Sequence, residues 1–160
     1  MTGPRRPGAP TAYVDEHHVA VAVPPAQVWD AVRRLGGDER LYAPRRLWQA
    51  RGLLDGLIGG PGDRIEGPGR PLRVGDPMDF WEVVEVRAPT LLRVRALTRL
   101  PGTAYLDIGV RPQGAGTDLS LRTEFEPAGL VGHVFWWAEW PAHTVVFELM
   151  TRRLAAIVAE

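Results

Sequence analysis

The chain has no cysteine and no lysine, a single serine at Ser120, and no net charge. Without cysteine, disulfide frameworks, thiolate nucleophiles and cysteine-based zinc sites are excluded together. Nineteen basic residues, all arginine, balance nineteen acidic ones, so no net field draws the protein to nucleic acid or to an anionic membrane. The serine lies in no GxSxG motif, and no GxGxxG follows a strand, which leaves neither a nucleophile elbow nor a dinucleotide site to propose. His17, His18, His133 and His143 show no HxH or HxxxH spacing, so no metal site is expected. Long apolar runs are missing too: "MTGPRRPGAPTAY" lacks the apolar core of a signal peptide, and nothing later approaches a membrane span. The reading is a soluble, cytoplasmic protein that binds neither nucleic acid nor membrane and needs no cofactor.

What is present fits one domain. With 160 residues and 45% hydrophobic positions, one sizeable core is possible and two are not. Residues 1–13, rich in Pro, Gly and Arg, are expected to be a flexible tail, and residues 14–160 a single domain. "HHVAVAV" alternates like a strand. "PPAQVWDAVRRLGG" opens a helix with Pro24 and Pro25 and closes it with Gly36 and Gly37, its apolar stripe being Val28, Trp29, Val32 and Leu35. A second short helix is predicted over 44–58 and a loop over 59–71. The period then becomes two. Runs 77–86, 91–100, 103–112 and 117–127, joined by short turns, predict an antiparallel meander. A long helix follows, with Pro141 expected in its first turn.

This order is α+β, and it resembles the SRPBCC or START-like superfamily over residues 15–160. That superfamily has the helix-grip fold of Bet v allergens and aromatic polyketide cyclases, a curved antiparallel sheet gripping the last helix around a hydrophobic cavity. The resemblance rests on "VAVPPAQVWDAVRRLGG", "VGDPMDFWEVVEVRAPTLLRVRA" and "GAGTDLSLRTEFEPAGL". "RGLLDGLIGG", "GDPMDFWEV", "LPGTAYL" and "WPAHTVVFELM" look like an uncharacterised bacterial branch that can occur fused to NAD-binding epimerase-like domains. That branch often has a Glu before its "LPG"; here Leu97 stands near that place, and no such role is carried over. The resemblance implies a hydrophobic small-molecule ligand, polyketide-like or aromatic, and is compatible with a homodimer.

The candidate site follows from the last helix. Trp136, Trp140, His143, Phe147, Met150, Leu154 and Ile157 recur in steps of four and three, forming one face. His143 lies within it, facing either packed core or the cavity. As a cavity residue it can take and return protons near neutral pH. Glu139, four residues earlier, is expected in solvent because Pro141 separates the two. In the strand "MDFWEVVEV" neither face is cleanly apolar; Asp79 and Glu82 are the candidates to assist His143. Trp81, Tyr105, Trp136, Trp140, Phe147 and Met150 are the candidate ligand-binding residues. Tyr105 and Asp107 take that role only if their strand turns its polar face inward; otherwise they lie on the surface. Two functions remain open: cofactor-free cyclisation, dehydration or isomerisation by proton transfer, or non-catalytic binding and carriage of the same ligand.

Overall fold

The computed structural model describes residues 12–35, 70–78 and 81–159. Its elements are β1 (Tyr13–Val21), α1 (Pro25–Val32), β2 (Pro77–Met78), β3 (Trp81–Arg87), β4 (Leu91–Ala96), β5 (Gly102–Gln113), β6 (Gly116–Pro127) and a carboxy-terminal helix, here α2 (Gly129–Ala159). The strands form one six-stranded antiparallel sheet in the order β1-β6-β5-β4-β3-β2. β3 to β6 are the expected meander, and β1 returns to pair with β6 at the far edge. The fold is the helix grip: a curved sheet holding α2, with the short α1 packed beside it.

Alternation explains which face is inside. On β6, Leu119, Leu121, Thr123 and Phe125 are buried, and so are Leu106, Ile108 and Val110 on β5 and Leu92 and Val94 on β4. The apolar set of β5 therefore points inward, and Asp107 joins a charged cluster on the other face. The mixed strand is resolved by a β-bulge. Val83 pairs with Val94, but the next pair is Glu85 with Arg93 and then Val86 with Leu92, so the register shifts between Val83 and Glu85. The extra residue lets Trp81 and Val83 before it and Val86 after it all face the core. A strict period of two could not show this.

Two boundaries differ from expectation. β1 begins at Tyr13, not His17, because the polar run before His17 pairs with β6 along its length, from Tyr13 with Phe125 to Val21 with Thr117. Tyr13 also belongs to the sheet and not to a tail. The helix α2 spans 31 residues with Pro141 in its interior, not at its start. "GHVFWWAEWPAH" is therefore helical throughout, and His133 stands on the helix. The stripe of α1 is buried as expected at Val28, Trp29, Val32 and Leu35. The helix predicted over 44–58, and the loop predicted over 59–71 up to residue 69, lie outside the described residues. No described helix is long and apolar enough to cross a membrane.

Candidate functional site

Between the concave face of the sheet and α2 lies a pocket of about 80 Å³. Its helical wall consists of Phe135, Trp136, Glu139, His143 and Phe147: Phe135, Glu139, His143 and Phe147 follow one another in steps of four, and Trp136 stands beside Phe135, three residues before Glu139. The sheet contributes Trp81, Ala96, Ala104, Thr123 and Phe125, with Thr98 and Leu100 from the β4–β5 connection. The small Ala96 and Ala104 leave the space that Trp81 and the helix aromatics frame.

The aromatic wall is a stack. Tyr13 and Phe125 lie nearly parallel to the Trp136 ring, at centroid distances of 5.0 and 5.8 Å, an offset arrangement that the ring quadrupoles favour. Trp136 and Phe147 also flank the His143 ring, at 5.0 and 4.4 Å, and Trp140 stacks on its outer side at 6.1 Å. His143 is largely buried, its side chain 14% exposed.

One polar set reaches this apolar wall. His143 Nε2 is 3.0 Å from the Thr123 hydroxyl and 3.6 Å from Asp15 Oδ2. The same Asp15 oxygen is 2.9 Å from His17 Nε2, and the Thr123 hydroxyl donates to the Asp15 carbonyl at 3.3 Å. Alternation along β1 produces this set: Tyr13, Asp15 and His17 are less exposed than Val14, Glu16 and His18, and so face α2. None of Asp15, His17 and Thr123 was a sequence candidate. The available signal was the i, i+2, i+4 spacing of Tyr13, Asp15 and His17, visible only once β1 is extended to Tyr13.

On the other side of the sheet is a charged cluster. Arg122 contacts Glu124 at 2.7 Å and Asp107 at 3.1 Å, and Arg93 reaches both carboxylates at 3.4 and 3.2 Å. Burial pushes the Asp107 carboxyl above its ordinary value despite the attraction of Arg93 and Arg122, and its Oδ1 is buried without a hydrogen-bond partner. Burial also opposes the charge on Glu124, but there the Arg122 hydrogen bond and the charges of Arg122 and Arg93 prevail and hold the carboxyl below its ordinary value. Glu124 and Tyr105 border the pocket, and the Arg93 guanidinium lies over the Tyr105 ring, 4.5 Å from its centroid.

The remaining candidates divide as follows. Trp81, Trp136, Phe147 and His143 line the pocket together, and Tyr105 borders it. Trp140 is not in the lining and stands behind it, against Trp136 and His143. Met150 is 1% exposed and packs with Leu154 in the core, away from the pocket lining, because it lies a turn beyond Phe147. Glu82 stands on the outer face, paired with Arg95 at 2.6 Å: Trp81 and Val83 take the inward positions on either side of it, so it cannot assist His143. Asp79 lies outside the described residues. Glu139, expected in solvent, is half-buried in the pocket wall, because the helix is already formed there and carries it on the same face as His143. Among the described residues, no group of three or more His, Asp or Glu side chains is arranged to hold a metal ion.

The family described as Protein of unknown function (DUF2867) matches residues 9–150. The chain belongs to this family. No curated protein matches the sequence. Among solved structures, a truncated norcoclaurine synthase from Thalictrum flavum is similar at 16% identity with a TM-score of 0.58, over 97% of this chain and 96% of that one. The same enzyme in complex with dopamine and hydroxybenzaldehyde gives 16% identity and 0.56, over 99% and 95%. A protein of Nitrosomonas europaea gives 13% and 0.53, over 91% and 93%. At such identities the likeness is one of fold, the helix grip described above.

Proposed function

We propose that the pocket binds a small hydrophobic molecule, aromatic or polyketide-like, and that His143 moves a proton on it in a cofactor-free cyclisation, dehydration or isomerisation. The observation that carries this reading is the position of His143: one titratable ring among Trp81, Phe125, Trp136 and Phe147, held at Nε2 by Thr123. An imidazole fixed in an apolar wall is placed to exchange a proton with a ligand beside it, and aromatic walls orient a planar ligand. The volume of about 80 Å³ lies below the several hundred Å³ typical of sites for drug-sized molecules. It suits one ring, or one end of a longer molecule. That the norcoclaurine synthase structure holds two aromatic molecules is in keeping with an aromatic ligand in this fold.

Non-catalytic binding is the second reading, favoured by the largely apolar wall, in which His143 would serve as a fixed hydrogen-bonding contact. The two are separated by proton–deuterium exchange at the carbon next to the carbonyl of small aryl ketones, followed by NMR in heavy water. Catalysed exchange that falls about a hundredfold in His143→Ala, with the ketone still quenching tryptophan fluorescence, supports proton transfer. Binding without exchange in the unaltered protein supports the carrier.

A further inference from the structure

The contacts of His143 converge on Nε2. The Thr123 hydroxyl lies 3.0 Å from it and also reaches the Asp15 carbonyl at 3.3 Å. Asp15 Oδ2, 3.6 Å from the same nitrogen, only accepts. In the charged ring Nε2 carries a proton, and the Asp15 carboxylate beside it favours that form. His17 Nε2 likewise points at Asp15 Oδ2, at 2.9 Å. One carboxylate oxygen thus serves two imidazoles on two different elements, all three side chains being 14–18% exposed.

We propose that Asp15 is a positioning residue: it orients His143 through Nε2 and favours its charged form, and His17 competes with His143 for the same oxygen. The proposal rests on the reading of His143 as the proton-transfer group. A carboxylate within about 4–6 Å favours the charged form of an imidazole. His17 holds the same oxygen at 2.9 Å, so the two rings compete for it. The other charged groups on this side are Glu139 of α2 and Glu124 of β6, both in the pocket lining. Tyr13 and His133 form a separate pair one step along β1.

The test is an NMR titration of the histidine ring protons, assigned by single His→Gln variants, in the unaltered protein, Asp15→Asn and His17→Gln. Asp15→Asn should lower the midpoint of His143 by about one pH unit. His17→Gln, which frees the shared oxygen, should raise the His143 midpoint; this variant keeps the proposal testable if Asp15→Asn does not fold. A His143 titration unchanged in the variants that fold overturns the proposal, whatever happens to activity. In the aryl-ketone exchange assay, Asp15→Asn should slow exchange by about tenfold and move the lower limb of its pH profile to lower pH. Shifted titrations without exchange in any form of the protein support the positioning role and overturn instead the proton-transfer reading.

Discussion

Tyr13 and His133 stand 120 positions apart in the chain, yet the Tyr13 hydroxyl and His133 Nδ1 are 2.8 Å apart. The bond joins the start of the edge strand to the first turns of α2, where Tyr13 also stacks on Trp136. Replacing Tyr13 with Phe keeps the stack and removes the hydroxyl. A part-buried hydrogen bond of this kind contributes about 1 kcal/mol. Tyr13→Phe should therefore lower unfolding stability by roughly that amount, read from the shift of the urea midpoint at constant slope; an unmoved midpoint would show that the bond contributes nothing.

Gly132 illustrates close approach on the same helix. It is buried although it lies in the first turns of α2, and a Cβ there would meet the Pro101 carbonyl oxygen and sit 2.8 Å from Pro127. In an exposed helix interior, Gly to Ala gains about 1 kcal/mol. Here the new methyl meets backbone that cannot step aside, and overpacking of this sort costs about 1–3 kcal/mol. Gly132→Ala should lower the thermal midpoint, whereas Ala substituted at exposed Val134 should change it little. A more stable Gly132→Ala protein would mean that α2 can slide away from the β6–α2 turn.

Glu124 and Asp107 lie in one cluster and respond to pH in opposite directions. The Glu124 carboxyl is held below its ordinary value of about 4.5, so it contributes stability that is present above that value and lost as pH falls through the lower folded value. The Asp107 carboxyl is raised, so its ionisation works against the fold as pH rises. Glu124→Gln should accordingly destabilise the protein at neutral pH and differ progressively less from the unaltered protein in acid. Asp107→Asn should cost less at neutral pH than Glu124→Gln. Denaturant midpoints measured from pH 3 to pH 7 check both signs, and a Glu124→Gln deficit that grows in acid would contradict them.

The sheet meander was legible because each strand carries a clean alternation between short turns: Leu119, Leu121, Thr123 and Phe125 against Arg122 and Glu124 needed nothing beyond the period of two. His143 was legible for the same reason on a helix, from the steps between Trp136, Phe147 and Leu154. The bulge at Val84 was not, since an unpaired residue erases the alternation that would reveal it. Asp15 and His17 were hidden more deeply. A polar residue on the inner face of an edge strand looks like a surface residue until its partners, here Thr123 on β6 and His143 on α2, are brought in from over a hundred positions away. Pro141 misled for a local reason: at a helix start it is expected, and nothing nearby signals that α2 already runs from Gly129.

That proline divides the pocket. Having no N–H, Pro141 leaves the Trp137 carbonyl without its usual partner four residues on, and a helix missing one rung bends there more readily than elsewhere. Phe135, Trp136 and Glu139 stand before the joint, and His143 and Phe147 after it. The two halves of the helical wall thus lie on either side of the one turn of α2 that lacks a backbone rung. If α2 bends under load it should do so between these two halves, which would change the width of the pocket and leave the hydrogen-bonded sheet as it is.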